Sequence, residues 1–265
     1  MTATTTYATL LLERTGHTAT VTLNRPDVRN AFNENTIAEI TRAFRELGAD
    51  DTVRAIVLAA NGPAFCAGAD LNWMKKMAGY SHAENLGDAL QLAAMLRTIY
   101  ACPQPVVAQV QGDCYAGGMG LVAACDIVVA AEEAHFCLSE VKLGLTPATI
   151  SPYVVKAMGE QAARRYFLTA ERFTAHEARR IGFAHEVVAA DALDATVAGI
   201  VQALVSNSPA AVRQAKALVR DVAGRTVDDA LIEDTAQRIA QVRASEQGKE
   251  GVRSFLEKRK PAWLS

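Results

Sequence analysis

The stretch that decides the fold is residues 106–131, VVAQVQGDCYAGGMGLVAACDIVVAA. It opens with a short apolar run of strand length, Val106 to Val110, and passes through a glycine-dense loop from Gly112 to Gly120. Leu121 to Cys125 then predicts a short helix, and Asp126 to Ala131 predicts a second buried strand. Apolar strands that alternate with helices across glycine loops are typical of an α/β core and argue against an all-β or all-α protein.

The same rhythm continues on both sides of this stretch. Towards the N-terminus, residues 7–13 and 18–23 predict a β-hairpin, and Asn33 predicts the cap of a helix that Gly48 ends. The other predicted elements are strands at 53–59 and 135–138 and helices at 82–100, 154–158, 160–167, 175–180, 192–204, 210–222 and 227–244. Strands nearly vanish after Ser151, and the polar residues and proline of SNSP at 206–209 interrupt the pattern. We therefore expect a catalytic core over residues 1–205 and a helical C-terminal region over residues 206–265. The amphipathic helix near the C-terminus predicts that this region forms an oligomer interface.

Composition excludes several classes of protein. The chain has 265 residues, of which 50% are hydrophobic, and a formal net charge of -2. No basic excess indicates a nucleic-acid partner, and no window approaches the ~20 apolar residues of a membrane helix. The five cysteines form no C-x-x-C pair, which indicates buried thiols in a reducing compartment. We therefore expect a cytoplasmic enzyme with no nucleic-acid or membrane partner.

Common catalytic signatures are absent, but three segments are unusual for a purely structural role. The chain has no G-x-G-x-x-G, P-loop, G-x-S-x-G or H-E-x-x-H motif. The three segments are AFCAGADL at 64–71, GDCYAGGMGL at 112–121 and FCLSE at 136–140. The first two are turns of small residues, which let a backbone approach a ligand closely and leave N–H groups free at a helix start. Two such turns facing each other would stabilise a negatively charged oxygen, although the glycines could equally serve only tight packing.

Glu140 is the carboxylate of the third segment. It follows an apolar strand, and its neighbours include Phe136, Leu138 and Val141. Acidic side chains are seldom buried unless they are paired, and burial raises the pKa of a carboxyl group. Glu140 is therefore a candidate proton donor and acceptor, and a strand-end ion pair with Lys142 or Arg164 is the alternative.

Several short motifs occur in order along nearly the whole chain. They are LNRP at 23–26 with NA at 30–31, FCAGADL at 65–71, GG at 117–118 with ACD at 124–126, SEVKLGL at 139–145 and FLEKRKP at 255–261. With these motifs the chain resembles the enoyl-CoA hydratase/isomerase (crotonase) superfamily. ADLNWM at 69–74 and ISPYVV at 150–155 are similar to bacterial 3-methylglutaconyl-CoA and carboxygeranoyl-CoA-type hydratases.

The resemblance implies an α/β fold, a spiral of β-β-α turns with a helical C-terminal trimerisation region, assembled as a homotrimer or homohexamer. It implies that the N–H groups of Ala69 and Gly117 hold the thioester oxygen while Glu140 acts as the catalytic acid/base. The substrate would be an acyl-CoA, so coenzyme A is part of the substrate and we expect no separate cofactor and no metal. The residues implied to bind coenzyme A are Arg25, Val28, Ala31, Ala67, Asp70, Leu71 and, from a neighbouring subunit, Phe255 and Lys258.

One departure from the family pattern concerns the chemistry. Typical hydratases of this superfamily carry two glutamates, and the position of the first is Gly120 in this chain. Either Glu140 acts with a water held by another group, for which Asp113 and Tyr115 are candidates, or the reaction needs one acid only. The subfamily likeness favours hydration of an enoyl-CoA, whereas the missing acid favours a Δ3,Δ2-enoyl-CoA isomerase.

The acyl group is the least constrained part of this interpretation. A glutaconyl-type substrate carries a second carboxylate, which Lys75, Lys76 or Arg97 could neutralise, although a solvated surface charge is the more common explanation for each of the three. A third reading, a weakly catalytic scaffold or RNA-binding protein, is disfavoured because the chain lacks a basic surface.

Overall fold

Two β-sheets form the centre of the molecule, which a computed structural model describes over residues 3–264. The larger sheet has the strand order β1 (Ala3–Thr6), β2 (Leu10–Thr15), β3 (Thr18–Leu23), β4 (Ala55–Ala60), β6 (Val106–Val110), β8 (Ile127–Ala131) and β11 (Glu186–Val188). The smaller sheet has the order β10 (Phe173–Thr174), β9 (His135–Cys137), β7 (Asp113–Tyr115) and β5 (Ala64–Cys66). The predicted N-terminal hairpin is confirmed as β2 and β3, which pair antiparallel.

The helices connect and cover these sheets. They are α1 (Glu34–Gly48), α2 (Leu71–Met77), α3 (His82–Tyr100), α4 (Gly117–Ala123), α5 (Ser151–Thr169), α6 (Ala175–Arg180), α7 (Leu193–Ser206), α8 (Pro209–Val222), α9 (Asp229–Ala244) and α10 (Glu246–Leu256). Asn33 caps α1 as predicted, since its side chain accepts a hydrogen bond from Thr36 N. The two helices predicted at 154–158 and 160–167 are the two arms of α5, which is kinked at Gly159.

The β-β-α unit repeats along the chain and produces the spiral. Strands β4, β6 and β8 run parallel in the larger sheet, and the strand that follows each of them, β5, β7 and β9, runs parallel in the smaller sheet. Helices then return the chain to the next turn. Because the carboxyl ends of neighbouring parallel strands meet at one edge, the segments that follow Cys66, Tyr115 and Cys137 lie together, which is where ligands bind in such sheets.

The central strands of the larger sheet, β4, β6 and β8, are buried on both faces, which explains their uninterrupted apolar runs. On one face Ile56, Val106 and their neighbours join the main core, and on the other Val57 and Val107 pack against Leu193 of α7. The smaller sheet contributes Phe65 and Phe136 to the main core, so the core fixes the orientation of both sheets.

Several predicted boundaries are wrong. The glycine-dense loop contains strand β7 and the start of α4, so the helix predicted at 121–125 begins four residues earlier, at Gly117. Three-residue strands such as β5 and β7 are too short to show an apolar pattern. Strands also persist after Ser151, because β11 adds to the larger sheet and β10 to the smaller one. The helix α10 was not predicted separately from α9.

The C-terminal helices begin where the sequence predicts a boundary. Helix α7 ends at Ser206 and α8 begins at Pro209, and the buried Lys216 of α8 forms an ion pair with Asp126, 2.5 Å between Nζ and Oδ2. Helix α10 packs against α8 and α9. Among the described residues no single helix is long and apolar enough to cross a membrane, although residues 190–206 and α8, bent by 107°, meet that criterion together by length and composition.

Candidate active site

The first loop of the candidate site follows β5. It is held by the backbone of Phe32, whose N donates to Gly68 O at 2.9 Å and whose O accepts from Asp70 N at 3.0 Å. Gly68 has φ +94°, a conformation that L-residues rarely adopt. Within residues 3–264 the N–H of Ala69, between these two hydrogen bonds, has no acceptor. The loop therefore presents one free backbone donor.

The second loop follows β7 and starts α4. Ala116 has φ 47° and ψ -124°, an unusual conformation for a residue with a side chain, and its N donates to Cys137 O at 2.8 Å. Gly117 is the first residue of the helix, where N–H groups have no intrahelical partner. In the described part of the chain its N–H donates no hydrogen bond.

These two loops touch each other. A Cβ placed on Gly68 would lie 3.1 Å from Ala116 Cβ and 3.9 Å from Gly117 N. The structure thus brings together the two small-residue turns that the sequence singled out, each with a free amide. Paired backbone donors of this kind stabilise an oxygen on which negative charge develops.

Glu140 lies beyond the end of the neighbouring strand. The sequence placed it at the end of the strand, but β9 ends at Cys137 and Glu140 begins a short 3-10 helix that runs to Leu143. Its Oε2 is buried, and among residues 3–264 it has no hydrogen-bond partner. Burial raises the pKa of the Glu140 carboxyl group above its ordinary value.

The ion-pair alternative for Glu140 is wrong. Arg164 instead pairs with Glu160, 2.6 Å between Nη2 and Oε1, and the described residues contain no ion pair between Glu140 and Lys142. A largely buried carboxyl group with an unpartnered Oε2 and a raised pKa is the arrangement expected of a group that exchanges protons during a reaction.

The position of the missing glutamate is filled by hydrocarbon. A Cβ on Gly120 would lie 2.8 Å from Ile150 Cβ and 3.5 Å from Leu96 Cδ2. Real Cβ atoms do not approach other carbons so closely, so the side chain of Ile150 occupies the space that a residue larger than glycine would need. The sequence showed the glycine, but only the structure shows what replaces the side chain.

Asp113 and Tyr115, the candidate water-holding groups, are engaged elsewhere. Tyr115 Oη donates to Asp113 Oδ2 at 2.8 Å, and Arg172 Nη2 donates to Asp113 Oδ1 at 3.1 Å. Burial, reinforced by the Asp113 carboxylate, raises the pKa of Tyr115 to about 12. Among the contacts of the described residues none links this network to Glu140.

Most of the predicted coenzyme A residues come together. The Nη1 of Arg25 donates to Ala31 O at 2.5 Å, and its Nη2 pairs with the Asp70 carboxylate at 2.8 Å. The N of Ala67 donates to Arg29 O at 2.9 Å, which joins the two segments. Val28 and Leu71 are 42% and 74% exposed, so both offer apolar surface to a ligand.

The other two predicted coenzyme A residues lie in a different part of the chain. Phe255 is in α10 and is 82% exposed, and Lys258 follows that helix with φ 55°. The cations considered for a second substrate carboxylate are also exposed, but Lys76 is paired with Glu34, 2.6 Å between Nζ and Oε1. That pairing leaves Lys75 and Arg97 as the stronger candidates.

The described residues contain no cluster of three or more His, Cys, Asp or Glu side chains that could hold a metal ion. All five cysteines are free thiols, and burial raises the pKa of Cys66 to about 12, which keeps it protonated.

Comparisons with known proteins show which family and which solved structures the chain is similar to. The family model described as "Enoyl-CoA hydratase/isomerase" matches residues 13–265. The chain is 36% identical over 251 residues to "Mevalonyl-coenzyme A hydratase sidH" of Aspergillus fumigatus, covering 94% of this chain and 92% of that protein. It is 32% identical over 253 residues to "Short-chain-enoyl-CoA hydratase" of Clostridium acetobutylicum, covering 95% of each. The solved structure of an enoyl-CoA hydratase from Shewanella pealeana is similar with 43% identity and a TM-score of 0.94, covering 96% of each chain.

Proposed function

The chain belongs to the enoyl-CoA hydratase/isomerase family, and we propose that it adds water reversibly to the α,β-double bond of an enoyl-CoA thioester. One observation carries the proposal: the touching loops that expose the Ala69 and Gly117 amides lie at the same sheet edge as the segment that carries Glu140. The relatives from Aspergillus fumigatus and Clostridium acetobutylicum, both described as hydratases, support it.

The two amides would act on the thioester carbonyl. Its oxygen accepts hydrogen bonds from Ala69 N and Gly117 N, which withdraws electrons from the conjugated double bond and stabilises the enolate that forms when oxygen adds at the β-carbon. Because the donors are fixed by the backbone, they need no reorganisation during the reaction. Removing one donor of this kind typically raises the barrier by about 3–4 kcal/mol.

Glu140 would transfer the proton. As a carboxylate it accepts a proton from the attacking water, and as the resulting acid it returns that proton to the α-carbon of the enolate. The atoms balance with one water consumed and the carboxylate restored. Burial raises the pKa of Glu140, so its carboxyl group holds a proton more readily than an ordinary glutamate does, which favours the return of the proton to the α-carbon.

Coenzyme A would be held by the segments that join at the first loop. We propose that Arg25, Val28, Ala31, Ala67, Asp70 and Leu71 contact it, and that the reaction uses no cofactor besides the coenzyme A of the substrate. Phe255 and Lys258 of a neighbouring copy would contact the nucleotide, which requires a homotrimer or homohexamer. Exposed apolar side chains on the C-terminal helices support assembly there: Val219, Ile232, Ile239, Val252, Phe255 and Leu256.

For the acyl group we propose a branched 3-methylglutaconyl-type thioester. The name of the Aspergillus relative, a mevalonyl-coenzyme A hydratase, supports a methyl-branched acyl group with a polar far end. Lys75 and Arg97 are exposed cations available to a second carboxylate.

A second candidate is Δ3,Δ2-enoyl-CoA isomerisation, which the Gly120 and Ile150 pair favours. Isomerisation moves one proton between two carbons, so a single carboxylate suffices and no water has to be held. The apolar wall at Ile150 is compatible with such a site.

The two candidates differ in their products. We would incubate the protein in oxygen-18 water with crotonyl-CoA, 3-methylglutaconyl-CoA and a 3-enoyl-CoA, and measure product masses. The proposal predicts a labelled 3-hydroxyacyl-CoA from a 2-enoyl ester. Conversion of the 3-enoyl ester to its 2-enoyl isomer, without label and without hydration of any ester, would establish the isomerase instead.

A further inference from the structure

Phe32 contacts both loops that expose the candidate amides. Its backbone flanks Ala69 on both sides, through the hydrogen bonds to Gly68 O and from Asp70 N. Its ring faces the other loop, since a Cβ placed on Gly117 would meet the ring, 3.0 Å from Cε1 and closer still to Cζ. A single residue therefore lies between the two donors and touches the segment that carries each.

The ring of Phe32 is itself held in place. It is 2% exposed and packs against the Trp73 ring, with 6.0 Å between ring centroids. Trp73 Nε1 donates to Asp88 Oδ1 at 3.1 Å, and Asp70 caps the helix that carries Trp73. A buried ring with a fixed neighbour cannot shift without opening a void, so the ring acts as a spacer of fixed width.

The second loop is enclosed from the opposite side as well. A Cβ on Gly118 would lie 2.8 Å from Cys66 Cβ, so the two glycines are bounded by Phe32 and Cys66 respectively. The start of α4 thus lies between Phe32, whose backbone flanks Ala69, and Cys66, which ends the strand before Ala69. The position of Gly117 N relative to Ala69 N therefore depends on these contacts with Phe32 and Cys66.

We propose that Phe32 is a positioning residue whose ring sets the separation of the Ala69 and Gly117 amides and thereby tunes their grip on the thioester oxygen. This inference rests on the proposed function of those amides. Donors that stabilise a transition state must match the oxygen closely, and a misplacement of about 1 Å can lower the rate by about 100-fold.

Phe32→Leu tests the proposal because leucine lacks the Cε and Cζ atoms that face Gly117. We expect kcat to fall by about tenfold or more, with KM changed by less than about threefold. The matched control is Phe44→Leu, the same substitution at an equally buried residue of α1, which packs against α3 and β2. Both variants lose stability, so any effect confined to Phe32→Leu is not a consequence of destabilisation.

A spectroscopic signature reports on the amides without turnover. A bound 3-ketoacyl-CoA forms its enolate when its thioester oxygen is stabilised, and the enolate absorbs in the near ultraviolet. We expect Phe32→Leu to reduce this absorbance at saturating ligand while Phe44→Leu retains it.

Rescue completes the experiment. Gly117→Ala alone should lower kcat because its methyl group meets the Phe32 ring, and Phe32→Leu in the same chain should restore part of the loss. The proposal is overturned if kcat of the double variant is no higher than expected when the two single losses simply multiply. It is also overturned if Phe32→Leu behaves as Phe44→Leu does. In both cases the proposed function stands. A wild-type chain that turns over none of the esters overturns both.

Discussion

The two positions at which hydratases of this superfamily usually carry glutamates have opposite surroundings in this molecule. At Glu140 a carboxylate is kept in a largely buried place with an unpaired Oε2, although burial disfavours its charge. At Gly120 there is no side chain at all, and Ile150 fills the space. Burying a charge without a partner is costly, and a protein retains such a group where chemistry needs it. The difference supports our proposal that a single residue, Glu140, carries the proton chemistry.

The largest effect should come from removing the retained carboxylate. Glu140→Gln keeps the shape of the side chain but cannot accept the proton of the attacking water. We expect kcat to fall by roughly 100- to 10,000-fold, with little change in affinity for coenzyme A esters, measured by steady-state kinetics and calorimetric titration. Hydration at the wild-type rate would show that the carboxylate has no part in the reaction.

The second prediction uses pH. An ordinary glutamate has a pKa of 4.5, and burial raises the pKa of Glu140 above that value, so Glu140 loses its ionised form at a higher pH. The acid limb of kcat/KM should therefore lie above that value and disappear in the residual activity of Glu140→Gln.

The pH dependence of folding stability should run opposite to that of activity, because activity is lost in acid whereas stability is gained there. A carboxyl group whose pKa is higher in the folded state binds its proton more tightly there, so wild-type stability falls as pH rises from the unfolded to the folded pKa. Glu140→Gln should thus have the higher Tm above the folded pKa, and the difference should vanish in acid. Equal Tm values at every pH would contradict a buried, unpaired carboxylate.

The fourth prediction concerns the filled position at Gly120. Gly120→Ala forces a methyl group against Ile150 and should lower the free energy of unfolding by about 1–3 kcal/mol, measured by denaturant titration. Ile150→Ala in the same chain should relieve that overpacking, so that the two losses combine to less than their sum. Gly87→Ala, in helix α3 with no atom within 4 Å of the new Cβ, is the matched control and should be neutral or stabilising. Full additivity would mean that Ile150 does not fill the position.

The smallest effect should come from the other nearby carboxylate. Asp113 is held by Tyr115 and Arg172, so Asp113→Asn should change kcat by less than about threefold. A loss comparable to that of Glu140→Gln would identify Asp113 as the second acid and remove the contrast between the two positions.

Most of the fold follows from local pattern. Long periodic segments such as residues 82–100 predict their helix to the residue, and buried runs such as 106–110 predict their strand. The strands β5, β7 and β9 have three residues each, and only pairing with one another makes them a sheet. A pairing between distant segments leaves no signal in a window of sequence, which is why two of these strands were interpreted as loops.

The candidate site likewise contains some residues that the sequence indicates and others that only the structure shows. The two turns of small residues and Glu140 were singled out because small residues and a carboxylate among apolar neighbours stand out in the sequence, and the family resemblance narrowed the turns to the Ala69 and Gly117 amides. Phe32 and Ile150 were missed because a buried aromatic or aliphatic side chain is the ordinary content of a core. Their importance lies in which glycine each one faces, Gly117 or Gly120, and only the tertiary structure shows that.

The most direct test of the account is a crystal structure of the Glu140→Gln variant with a bound 2-enoyl-CoA. We expect the thioester oxygen to lie about 2.7–3.1 Å from both Ala69 N and Gly117 N, with the side chain at position 140 facing the α- and β-carbons and Ile150 in contact with the acyl group. A thioester oxygen bonded to neither amide, or a position-140 side chain out of reach of those carbons, would contradict it.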